Sequence, residues 1–117
     1  MSSGAALNGS PLNGGYAGAK ATIRFVIAYA AEESTRAGLG IRFVSVLPRL
    51  TPATDLGAPN VAAYARRAGL GTEAFLEQFG PTLTVDQVGK TVVELADSTD
   101  HKPGAYALSA AGLAPLS

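Results

Sequence analysis

Apolar residues Tyr16, Ala19, Ile23, Val26, Ile27 and Ala30 recur at three- and four-residue steps, the period of a helix with one face turned to a core. The pattern predicts a long helix over residues 16–37. Alanines at 17, 19, 21, 28, 30 and 31 raise its helix propensity and permit close packing against another helix. Glu32, Glu33 and Arg36 make a solvated end, and Gly38 and Gly40 read as stop signals. The run Ile41-Arg42-Phe43-Val44-Ser45-Val46-Leu47 is β-branched and apolar enough for a largely buried parallel strand, which Pro48 ends. Helical segments are expected around 60–68 and 72–78. Thr84 followed by Gln87 has the form of a capping box, with Val88, Val92, Val93, Leu95 and Ala96 as the core face of the helix it starts. Residues 97–104 read as a polar turn and 105–108 as a final short strand. Strands alternating with helices predict an α/β fold whose parallel strands are joined by crossover helices.

The composition supports a packed domain. With 117 residues the chain is one domain or part of one, and 47% hydrophobic against 15% charged residues suits a buried core. Nine basic residues balance nine acidic ones, so no basic field exists to attract nucleic acid or an anionic membrane surface. The absence of cysteine excludes disulfides, thiol catalysis and Cys-based zinc sites. Residues 1–19 carry no charged side chain, yet they are Gly-, Ser-, Asn- and Ala-rich and lack the basic start of a secretory signal. No run of about 18 apolar residues exists to span a bilayer, and a cytoplasmic protein is expected. His101, the one histidine, lies among Asp97, Asp100 and Lys102 and reads as a surface residue. No Gly-x-Ser-x-Gly elbow accompanies it for hydrolysis, and no metal site is expected.

The chemistry concentrates at Tyr16-Ala17-Gly18-Ala19-Lys20. Residues four apart share a helix face, so the Lys20 ammonium can lie beside the Tyr16 phenol. A neighbouring cation favours the phenolate form, which makes the tyrosine a candidate general acid/base. A Tyr-x-x-x-Lys pair by itself is a weak signal. Its context adds to it: Ser3 ends a Ser-Ser-Gly run upstream, and a Gly/Asn/Pro-rich loop separates Ser3 from Tyr16.

Ser3, Tyr16, Lys20, the helix that follows and a strand ending at Pro48 together resemble the catalytic half of a short-chain dehydrogenase/reductase, over residues 2–114. The resemblance implies an NAD(P)-dependent oxidoreductase that interconverts an alcohol and a carbonyl. Tyr16 would exchange a proton with the substrate oxygen, Lys20 would assist it and hydrogen-bond the nicotinamide ribose, and Ser3, with Ser2 as the alternative, would hold the substrate oxygen. Pro48 and Thr51 would contact the cofactor, NAD or NADP, with Thr54 a weaker candidate. Arg49 stands where the family usually has Gly, and reads as a surface residue. The resemblance also implies a homo-oligomer formed through the 16–37 helix. The segment Pro52–Pro81 reads as a lid over the site, and Tyr64, Phe75, Leu76 and Phe79 as its apolar pocket or as core.

A dinucleotide fold holds its pyrophosphate at a Gly-rich turn after the first strand, with a selector for NAD or NADP further on. Residues 1–117 supply neither, and Gly38-Leu39-Gly40 leads into a strand rather than a helix. The chain therefore reads as a single partial domain, 1–117, the C-terminal half of a partial Rossmann-like, doubly wound parallel sheet. Residues 1–117 alone are expected to be inactive. The alternative is a non-catalytic remnant or interaction module that cannot bind cofactor alone.

Overall fold

In the computed structural model, which describes residues 1–116, the chain is mixed α/β. Its elements run α1 (Ala5–Asn8), α2 (Gly14–Ala37), β1 (Val44–Pro48), α3 (Gly57–Arg67), α4 (Thr72–Phe79), α5 (Val85–Asp97), β2 (Gly104–Ser109) and β3 (Gly112–Leu116). The strands form one sheet in the order β1-β2-β3. β1 and β2 pair in parallel from Val44↔Gly104 to Pro48↔Leu108. Outside β1, the Ser2 and Gly4 N–H groups donate to the carbonyls of Val46 and Pro48 at 2.8 and 2.9 Å. Donors two residues apart meet acceptors two residues apart in the same direction, so the segment from Ser2 runs parallel to β1.

The expectation of an all-parallel sheet is corrected at β3. β2 and β3 are antiparallel, and Ser109 pairs with Gly112 across a two-residue turn. Such a turn can only reverse the chain, because a parallel return needs a crossover of about a dozen residues. Pro115 has no N–H to donate, and an edge strand tolerates it.

Side chains alternate across β1 and divide its contacts between two helices. Val46 joins Leu83, Leu95 and Leu108 in a buried cluster, against which Val44, Val88 and Leu113 pack. Helix α5 supplies Val88 and Leu95 to this face. Ser45, on the opposite face, borders a recess of about 230 Å3 together with Ile27 and Ala31 of α2. Helices therefore cover both faces of the sheet.

Helix α5 starts as its sequence predicts. Thr84 Oγ1 accepts the Gln87 N–H at 3.2 Å, and Gln87 Oε1 accepts the Thr84 N–H at 3.1 Å. Its core face is narrower than expected: Leu95 is buried and Val88 half-buried, whereas Val92, Val93 and Ala96 are exposed. At the other end the Arg42 guanidinium donates to the carbonyls of Leu95 and Ala96, two of the acceptors a helix leaves unpaired.

Helix α2 begins two residues before the predicted start. Asn13 Oδ1 accepts the Tyr16 N–H at 3.3 Å, and Gly38, at φ 63°, closes the far end in a left-handed conformation. Its buried residues are Ala17 and Ser34, while the expected core residues Ala19 and Val26 face solvent. The strand after it starts at Val44 rather than Ile41. Ser34 Oγ donates to the Ile41 carbonyl at 2.8 Å and accepts the Ile41 N–H at 3.2 Å, which ties that backbone to the helix instead of a neighbouring strand.

Candidate functional site

A cavity of about 980 Å3 lies at the carboxyl ends of the parallel segments. It is bordered by Ser2–Ala5, by Leu47–Thr51 following β1, and by Ala107–Ser109 at the end of β2. Carboxyl ends of parallel strands are where open α/β sheets bind ligands, and the volume lies at the upper end of the roughly 300–1,000 Å3 of small-molecule sites.

Ser3, Tyr16, Lys20, Pro48 and Thr51, the candidates named from the sequence, all line this cavity, as do Arg49 and Thr54. Tyr16 lies in the first turn of α2, where the Asn13 cap orients the helix. Lys20 is one turn further on, with its Nζ 5.6 Å from the centre of the Tyr16 ring. That distance places the ammonium beside the aromatic face, within cation–π range.

The two serines separate clearly. Ser2 is buried, and its Oγ donates to the Lys20 carbonyl at 2.6 Å, which pins the N-terminal segment to α2 beside the Tyr16/Lys20 pair. Ser3 Oγ accepts the Ala5 N–H at 3.2 Å. A hydroxyl has one donor and two acceptor positions, so the Ser3 O–H remains able to donate into the cavity.

Thr54 is bound within its own loop. Its hydroxyl donates to the Thr51 carbonyl at 3.0 Å and accepts the Gly57 N–H at 2.7 Å. A Cβ at Gly57 would collide with the Thr51 carbonyl oxygen, so this turn closes only on glycine. Arg49, expected at the surface, is exposed as a residue, but its side chain borders the cavity with Cζ 4.4 Å above the centre of the Phe79 ring.

The Pro52–Pro81 segment contributes Tyr64 and Phe79 to the wall. Phe75 bridges their rings, with centroids 6.4 Å from Tyr64 and 6.2 Å from Phe79. Tyr64 Oη and Ser10 Oγ are 2.6 Å apart in a hydrogen bond that links α3 to the loop before α2. Sequence reasoning missed this contact. Its partners are 54 residues apart, and no local spacing marks them. His101 lies outside the cavity lining and is half-buried rather than at the open surface, edge-on to the Tyr106 ring at 5.8 Å.

These features define an α/β protein with a ligand-sized cavity at the carboxyl ends of its parallel segments, bordered by a serine, a tyrosine and a lysine. No protein-family model, curated protein or solved structure matches the chain. No helix among the described residues is long and apolar enough to cross a membrane.

Proposed function

We propose that the chain is the catalytic part of an NAD(P)-dependent oxidoreductase of the short-chain dehydrogenase/reductase kind, interconverting an alcohol and a carbonyl on a partial Rossmann-like fold. The observation that carries this reading is the convergence of Ser3, Tyr16, Lys20, Pro48 and Thr51 on one cavity. When bound, the nicotinamide supplies or accepts the hydride. The protein's own residues handle position and protons. The Ser3 hydroxyl donates to the substrate oxygen and stabilises charge developing there. The Tyr16 phenol gives a proton to that oxygen during reduction and takes one during oxidation. Lys20, whose Nζ lies 5.6 Å from the centre of that ring, hydrogen-bonds the nicotinamide ribose in this reading.

The residues present fit the nicotinamide-ribose end of NAD or NADP. They do not fit its pyrophosphate: Gly14 and Gly15 open α2, but they follow a turn between Ser10 and Asn13 instead of a strand. Residues 1–117 alone are accordingly proposed to be inactive. A second reading, a remnant or interaction module, is favoured by that same mismatch. Micromolar binding of NADH or NADPH by the full natural chain separates the two, since the second reading allows none.

Phe25, Val26 and Tyr29 form an apolar strip on α2, between 54% and 73% exposed. The proposal includes a homo-oligomer in which this strip meets its counterpart on a second copy. A cytoplasmic location accords with NAD(P) chemistry in a chain without cysteine.

The decisive variant is Tyr16→Phe, which removes the proton-exchanging oxygen and keeps the ring. Reduction of a ketone panel by the full natural chain with NADH or NADPH is expected to fall by about 100-fold or more. Turnover close to the unmodified rate would overturn the assignment.

A further inference from the structure

We infer that the cavity selects a substrate bearing an oxyanion, a carboxylate or a phosphate ester, and that Arg49 is the residue that selects it. The charged side chains in the lining are Lys20 and Arg49, with no Asp or Glu among them. The chain as a whole has nine basic and nine acidic residues, so this one-sided charge belongs to the cavity and not to the composition. Among the described residues the ion pairs are Arg36–Glu33 and Lys90–Asp86, and neither involves a cation of the cavity.

Arg49 is held in place for the task. Its N–H donates to the Leu108 carbonyl at 2.8 Å, which continues the bonding between β1 and β2 past the end of the strand. Its guanidinium lies over Phe79, which is itself stacked on Phe75. Among the described residues no hydrogen bond or ion pair takes up the guanidinium N–H groups, so they are available to donate. That planar fork matches the two oxygens of a carboxylate or phosphate. Leu47, Leu56, Phe79 and Val88 give the same cavity apolar walls, so the body of the ligand is apolar and its anionic group is a single end. The description of the ligand as a ketone or alcohol rests on the proposed function. The charge preference rests on the lining and on Arg49.

The test is calorimetric binding to the full natural chain of three probes of one shape: 4-acetylbenzoate, 4-acetylphenyl phosphate and the neutral 4-acetylbenzamide. At least one anionic probe is expected to bind about tenfold or more tighter than the amide, and the better of the two identifies the anion as carboxylate or phosphate ester. Arg49→Gln is expected to abolish the difference, and an unchanged urea unfolding midpoint shows that the variant is folded. Arg49→Lys should restore part of it. Equal binding of all three probes, failure of all three at millimolar concentration, or a preference that survives Arg49→Gln would overturn the inference. No nicotinamide is present in these titrations. A chain that shows the preference and reduces no ketone loses the proposed function and keeps this inference.

Discussion

Helices α2 and α5 lie on opposite faces of one sheet and are held to different degrees. Helix α5 has 13 residues, a side-chain cap at its start, Arg42 on its last carbonyls and Leu95 only 5% exposed in the main cluster. Helix α2 has 24 residues, and its buried ones are Ala17 and Ser34, near its two ends. Between them Phe25, Val26 and Tyr29 face outward. At 1.5 Å per residue α2 is about 36 Å long, and it helps to explain a radius of gyration of 15.7 Å where a compact chain of this length has about 13 Å. The difference is one of degree: α5 also exposes Val85, Val92 and Val93, but it alone of the two places a large apolar side chain, Leu95, in the buried cluster. The candidate catalytic pair lies on α2, at the end that Ser2 and Asn13 tie down.

The largest expected effect sharpens this contrast. Leu95→Ala should lower stability by about 2–5 kcal/mol in urea unfolding, because the cluster around Val46, Leu83 and Leu108 would keep a cavity. Phe25→Ser at low protein concentration should change stability by less than about 0.5 kcal/mol while shifting the mass seen by light scattering toward the monomer. A Phe25→Ser loss as large as that of Leu95→Ala would mean that the middle of α2 is packed in its own chain as firmly as α5. Next comes Arg42→Ala, expected to cost about 1.5–3 kcal/mol through the charged hydrogen bonds to Leu95 and Ala96. Hydrogen exchange should locate the loss in the last turn of α5. Thr84→Ala removes the cap at the other end and should cost about 1 kcal/mol by the same unfolding measurement.

The smallest effect is at the entry to α2. Leu12 has φ 67° in the turn closed by the Asn13 N–H on the Ser10 carbonyl, and its side chain is 72% exposed. A side chain in that conformation costs about 1–2 kcal/mol, and glycine there gives back roughly 0.5–1 in chain entropy. Leu12→Gly is therefore expected to stabilise the protein by up to about 1.5 kcal/mol. A measured loss would mean that the Leu12 side chain makes a stabilising contact that outweighs its backbone conformation.

Elements whose signals are local are legible in the sequence itself. The Thr84/Gln87 box, the Gly38 stop, the helix over 72–79 and the strand around 105–108 each depend on a few neighbouring residues, and each stands close to its expected place. Sequence expectation fails where a partner on another element decides. Ile41 carries a strand-like sequence, but Ser34 takes its backbone groups. Val26 fits the helical apolar period, yet it faces away from the sheet, because that period shows that a face exists and not what covers it. β3 escapes a reading of its residues because a short run containing Gly112 and Pro115 pairs only where β2 presents an edge.

The candidate site divides along the same line. The four-residue spacing of Tyr16 and Lys20 on one helix was determined by sequence, since helical geometry places such residues on a common face whatever surrounds them. Tertiary structure decided that the Ser2 hydroxyl is taken up by the Lys20 carbonyl, which leaves Ser3, already preferred from the sequence, as the serine able to donate. It also decided that the guanidinium of Arg49, a residue exposed as expected, lies over Phe79 at the cavity wall. The physical reason is reach: a spacing of three or four residues acts within one turn of helix. The fate of the Ser2 hydroxyl and of the Arg49 guanidinium depends on a carbonyl and a ring that the fold brings in from well beyond one helical turn.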